Sequence, residues 1–209
     1  MNLVMISGSF EYDSHDTLEI FKDYMKKNHD VDSTIIKYKD RDDHPSLVPV
    51  ENADVLLVCT QRVNESGAEL ERFKKYCDQG RPIVGVRTAS HAYQNWLDFD
   101  KDVLGGNYNH HYGHGPKTRA EIEEQAVDHE IMRGITSFES DSHLYRNTPI
   151  GEDTILLMTG YSDDHVEPVA WTRNHKGGRV FYTSLGDQKD FKNPLFLRML
   201  AQAVLWTKG

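Results

Sequence analysis

The chain has 209 residues, of which 38% are hydrophobic and 27% charged, and its formal net charge is −9. This length supports one packed core without requiring a second domain, and so large an apolar share excludes a disordered chain. The negative balance argues against a duplex nucleic acid or an anionic membrane as partner, since both call for a basic face.

An apolar run at residues 3–6 stops at Ser7 and Gly8, as a strand buried on both faces does. It is too short for a secretion signal and lacks the basic leader. No stretch approaches the roughly 20 apolar residues that cross a bilayer, so the cytoplasm is the expected location. A helix follows at 16–28, where Leu18, Phe21 and Met25 share one face. A second strand covers 33–38 and leads into a charged surface connection at 37–44. The third strand, 54–59, contains Cys59, and the next helix, 65–79, sets Leu70, Phe73 and Cys77 on one stripe before stopping at Gly80. The two cysteines are too few for a disulfide framework and read as small buried hydrophobes. A fourth strand covers 82–86. Strands and helices alternating at this rhythm predict βαβ units and an α/β fold with a doubly wound, mostly parallel sheet.

The second half is less regular. Strands are expected at 118–126 and 154–158. Residues 168–172 and 179–184 flank a glycine-containing turn at 174–178, which predicts a β-hairpin. A helix at 194–206 closes the chain, with Leu195, Met199, Ala203 and Trp206 on one face and Pro194 at its first position.

Ligands of open parallel sheets bind beyond the carboxyl ends of the strands. With the first strand central, three turns meet there, at 8–15, 60–64 and 87–94. They carry Glu11, Tyr12, Gln61, Arg62, Arg87, Thr88, Ser90 and His91. The planar donors of the two arginines suit oxyanions or sugar hydroxyls. Residues 85–91 run strand, tight turn, helix, the geometry of a nucleophile elbow, but the elbow position is Arg87. A glutamine amidotransferase needs a cysteine there, and Cys59 and Cys77 belong to other elements. Ser90 beside His91 is not a dyad by adjacency alone. A second constellation is the glycine-rich stretch 105–116, whose His110, His111 and His114 supply imidazoles for a divalent metal or for acid–base work. Asp187, between a strand and the last helix, can point into the same cleft, and His143 is a weaker candidate.

Several stretches resemble the ThuA-like (trehalose utilisation) family. They are SGSFEYDS at 7–14, CTQR at 59–62, VGVRTASHAYQ at 84–94, VLGGNYNHHYGHGP at 103–116, EPVAWTRNHKGGRVFYTSLGD at 167–187 and NPLFLRMLAQAVLW at 193–206. The resemblance runs nearly end to end, so residues 1–209 are expected to form one ThuA-like domain. It implies a flavodoxin-like, class I glutamine amidotransferase-like fold and a link to sugar catabolism. It carries over Glu11, Tyr12, Arg62, Arg87, His91, His111 and Tyr112 as site positions. Two departures stand out: many relatives read LGH where this chain has Leu185, Gly186 and Asp187, and many carry an acidic pair where Ser142 and His143 stand.

The expected function is therefore chemistry on a carbohydrate or oxidised keto-sugar without amidotransferase activity. Arg62 and Arg87 would hold a substrate oxygen, Glu11, His91 or His111 would move protons, and Tyr12, Tyr112 and Asp187 would bind substrate. Tyr108 and Trp171 are further candidates for stacking on a sugar ring. The alternatives are a non-catalytic carbohydrate-binding or regulatory domain, and a metal-dependent hydrolase using His110, His111 and His114. The expected partner is a small carbohydrate, with a homo-oligomer left open.

Overall fold

A computed structural model describes residues 1–113 and 117–209. The first half alternates as its periodicity requires: β1 (Asn2–Gly8), α1 (Ser14–His29), β2 (Asp32–Lys37), β3 (Val55–Thr60), α2 (Gly67–Asp78) and β4 (Ile83–Val86). The second half holds β5 (Thr118–Ile122), β6 (Phe138–Ser140), β7 (Ile155–Ser162), β8 (His165–His175), β9 (Gly178–Thr183) and α3 (Pro194–Lys208). Among the described residues these nine strands join one sheet in the order β2-β1-β3-β4-β9-β8-β7-β5-β6.

The expectation of a mostly parallel sheet holds at one end only. From β2 through β9 every neighbouring pair is parallel, whereas β9-β8, β8-β7, β7-β5 and β5-β6 are antiparallel. Connection length explains the change. A parallel neighbour needs a long crossover, and helices supply one only in the first half. β8 and β9 are joined by Lys176 and Gly177, both at positive φ (50° and 91°), the condition of a type I′ hairpin turn. The predicted hairpin is thus present, and its second strand lies parallel to β4. The result is a mixed α/β fold.

Alternation along the central strands sorts the core into two layers. Leu3 and Met5 of β1 and Leu57 of β3 pack with Leu18, Phe21 and Met25 of α1 and with Phe196, Met199 and Leu200 of α3. Val4, Ile6, Leu56 and Val58 face the other way, against Leu70, Phe73 and Tyr76 of α2. Truncating any of these fully buried side chains to Ala costs about 2–5 kcal/mol. The stripe expected on α3 is shifted: Leu195 and Trp206 are half-buried, while Phe196, Leu200 and Val204 lie in the core. Among the described residues no helix is long and apolar enough to cross a membrane.

Candidate functional site

The turns after β1, β3 and β4 are stitched together by backbone hydrogen bonds at the carboxyl edge of the parallel half. Gln61 N–H donates to Gly8 O at 3.1 Å, Arg62 N–H to His91 O at 2.8 Å and Val63 N–H to Ala92 O at 2.9 Å. Arg62 and Arg87 both sit at positive φ, 49° and 52°. Side chains other than glycine rarely adopt that region, and such strain concentrates at working sites. Arg87 opens a short 3-10 turn, Arg87–His91, directly after β4, where the sequence reading expected a tight turn into a helix.

A fourth segment closes over this edge. Asn109 N–H donates to Arg146 O, Arg146 N–H to His110 O and Tyr112 N–H to Leu144 O, at 2.9, 3.0 and 3.0 Å. This pairing delivers Tyr108 onto His91, rings stacked at 4.3 Å, and onto Tyr145 at 4.6 Å. Beneath Tyr108 lies a cavity of about 440 Å³, lined by Arg62, Ser90, His91, Gln94, Asp100 and Tyr108 among others.

Two groups on the cavity wall, His91 and Asp100, are pushed in opposite directions. His91 is 6% exposed, and burial, with Arg62, Arg87 and His111 nearby, holds its imidazole down to about 3. It stays neutral at physiological pH. Its Nδ1 lies 3.0 Å from Ser90 Oγ, so the neighbours do form a hydrogen-bonded pair. Adjacency alone gave no reason to expect that contact, which the 3-10 turn creates. Asp100 is 5% exposed, and burial pushes its carboxyl up to about 7 against a single opposing hydrogen bond from Tyr108 N–H at 2.7 Å. The sequence reading missed Asp100. Its one signal is the glycine pair at 105–106, where a bare backbone lets the carboxyl lie close.

Arg87 is placed differently from Arg62. Arg62 is exposed and lines the cavity; Arg87 is fully buried. Arg87 Nη1 donates to His143 O at 2.8 Å and to Ser184 O at 2.7 Å, and Nη2 donates to the Tyr12 hydroxyl at 3.3 Å. Its guanidinium lies 4.0 Å from the Tyr145 ring centroid and 4.9 Å from that of Tyr12. It braces the site from behind rather than presenting donors to the cavity.

The remaining candidates divide. Glu11 is exposed, accepts from Gln61 Nε2 at 3.1 Å and pairs with Arg41 at 3.5 Å, which sets it beside the cavity rather than on its wall. His111 forms a short bridge with Tyr145, and its Nδ1–H donates to Gly113 O at 2.9 Å. Its ring lies 4.6 Å from His110 and 5.9 Å from His143. Tyr112 is engaged elsewhere: it stacks on His165 at 3.8 Å and donates to Glu167 Oε1 at 2.9 Å. Asp187 Oδ1 accepts from Lys189 N–H at 3.2 Å, a local turn contact. Trp171 is fully buried with Nε1–H on Leu104 O at 2.8 Å, so it offers no face to a sugar. His114 lies outside the described residues. Among the described residues no group of three or more His, Cys, Asp or Glu side chains is arranged to hold a metal ion.

Fold and site together define a mixed α/β protein with a polar, His- and Arg-bearing cleft over the carboxyl ends of a parallel half-sheet. The family profile for ThuA, trehalose utilisation, matches residues 2–207, and the chain belongs to that family. Membership ties it to trehalose utilisation and, broadly, to sugar catabolism. Among solved structures, a ThuA-like protein from Bacteroides uniformis is similar at TM-score 0.75 and 18% identity, over 99% of this chain and 91% of that one. A ThuA-like protein from Parabacteroides merdae is similar at TM-score 0.75 and 14% identity, over 100% and 90%. A cytoplasmic protein from Salmonella typhimurium follows at TM-score 0.61 and 12% identity, over 99% of both chains. These likenesses show the fold alone. No curated protein matches the chain in sequence.

Proposed function

We propose that this protein is an enzyme of sugar catabolism that binds a carbohydrate or keto-sugar derived from trehalose in the cleft between Arg62, His91 and Tyr108. One observation carries the reading: a fixed cation on the cavity wall stands beside an imidazole that burial keeps uncharged. Arg62 attracts a carbonyl or hydroxyl oxygen through the donors of its planar guanidinium. Neutral His91 polarises a carbonyl by hydrogen bonding without the cost of a buried imidazolium. The Tyr108 ring, half-buried, supplies an apolar face for a pyranose. A cavity of about 440 Å³ suits a small-molecule ligand.

On this reading the fold is the doubly wound, flavodoxin-like one, and its elbow keeps a strained turn but carries Arg87 where an amidotransferase carries cysteine. Glutamine hydrolysis through a thioester then has no nucleophile. Cys59 does not substitute, because it is buried and burial pushes its thiol up to about 12. Arg87 is a positioning residue, while Glu11 and His111 stand at the rim as carriers of protons in an isomerisation, elimination or hydrolysis. We infer a cytoplasmic location. A divalent metal on His110, His111 and His114 is a subordinate proposal, tested by elemental analysis of the purified protein.

A second reading, a carbohydrate-binding domain without catalysis, is favoured by the burial of Arg87, which withdraws one guanidinium from any ligand. Incubating the protein with trehalose and with a keto-derivative of trehalose, followed by NMR, separates the two. Conversion that falls about 100-fold or more in His91→Ala supports the enzyme, in line with the contribution of one acid–base group. Binding without conversion supports the second reading, and absence of both sinks each.

A further inference from the structure

Asp100 occupies the cavity wall on a short π-helical turn, Phe99–Leu104, a geometry that recurs at functional sites. Its Oδ2 accepts Tyr108 N–H, but Oδ1 is buried with no hydrogen-bond partner. An unanswered buried carboxylate oxygen is costly, so natural chains keep one where something else answers it. The approach is enforced from the other side, since a Cβ built on Gly106 would stand 2.3 Å from Oδ1. Among the described residues no ion pair is made to this carboxyl, although Arg62 and Lys101 line the same cavity. Lys101, next in the chain, is exposed, and Arg173 gives its donors to Asp153 and to the carbonyls of Lys101 and Asp102. The other charged or titratable groups facing this carboxyl are Arg62, His91 and Tyr108 around the cavity and Tyr182 of β9 behind it.

We propose that Asp100 works as a neutral carboxylic acid in this cleft, donating its O–H to an oxygen of the bound sugar. The assignment rests on the sugar-binding reading above. It fits the opposite drift of His91 and Asp100: burial keeps His91 deprotonated and lifts the Asp100 carboxyl to about 7, so on the acid side of neutrality both are uncharged donors. A carboxylate in that place would repel the same oxygen. Removing the proton therefore removes the bond.

The test is calorimetric affinity for trehalose and its keto-derivative between about pH 6 and pH 8.5, with wild type, Asp100→Asn and Gly106→Ala. With the carboxyl at about 7, wild-type affinity falls about 30-fold across that range as the competent fraction shrinks. Asp100→Asn keeps the shape and a donor and never ionises, so its affinity stays flat and exceeds that of wild type at the alkaline end. A role in folding alone does not produce that gain. Gly106→Ala, which displaces the carboxyl, weakens binding even at the acid end. A wild type that binds with affinity flat through the range overturns the Asp100 assignment alone, as does an Asn variant that declines in parallel with it. A wild type that binds neither sugar at any pH overturns the assignment and the sugar reading together.

Discussion

Replacing Arg87 with Met probes the brace behind the site. The substitution keeps much of the buried volume and deletes three donor contacts, to His143 O, Ser184 O and the Tyr12 hydroxyl. Hydrogen bonds from a charged donor contribute about 1.5–3 kcal/mol each, so the gross loss is about 4.5–9 kcal/mol. Removing the cation also removes its own desolvation cost, which offsets part of this. A net loss of about 3 kcal/mol is expected, and for a chain of this size each kcal/mol lowers Tm by about 2–4 °C, giving a drop of about 6–12 °C. Arg87→Lys retains the charge and loses the planar fork, so it should fall between. Thermal melts read by circular dichroism, with urea unfolding alongside, measure both. A Met variant within about 1 kcal/mol of wild type would refute the bracing role, because no network of this kind is lost so cheaply.

The His91 C2–H resonance should stay at its neutral position down to about pH 4, since burial places its titration near 3; a midpoint in the ordinary histidine range would contradict that. The sign for stability follows. Between about 3 and the ordinary histidine value near 6.5 the unfolded chain binds the proton that folded His91 refuses, so this group's contribution is lost as pH falls through that window. Asp100 acts in the opposite sense: its folded carboxyl binds a proton that the unfolded one releases, so its contribution is lost as pH rises from about 4 through about 7. Urea unfolding of Asp100→Asn against wild type across that window should show the variant gaining relative stability with pH. Tyr112→Phe should cost about 1 kcal/mol through the lost bond to Glu167 and leave sugar affinity unchanged, measured by melts and calorimetry. Trp171→Phe should likewise lower stability by about 1–2 kcal/mol through the bond to Leu104 O and the lost volume, again without touching affinity.

The parallel half was legible because each strand is a continuous apolar run and each helix carries a stripe, two periods that leave little choice. The antiparallel half was not, because β6 is three residues long and pairs with β5 across a stretch of short 3-10 turns. Nothing local announces such a partner. The turns that meet at the sheet edge could be read from the strand order, but depth could not. Arg62 and Arg87 are both arginines at strand ends in the same strained φ region, yet one faces the cavity and the other is sealed by Tyr12 and Tyr145 from distant loops. Asp100 was invisible for the same reason. An aspartate on a short helical turn is ordinarily solvated, and here Gly106 and Tyr108 pack close against it.

The claim on which the account turns is that the sugar enters the cleft of Arg62, His91 and Tyr108, although a second cavity of about 430 Å³ beside Trp96, Arg173 and His175 has nearly the same size. Titrating ¹⁵N-labelled protein with the keto-derivative of trehalose decides between them. The predicted result is a footprint on the amides of Arg62, Ser90, His91, Asn107 and Tyr108. Shifts confined to Asp78, Trp96, Arg173 and His175, or an unperturbed spectrum at saturating sugar, would contradict it.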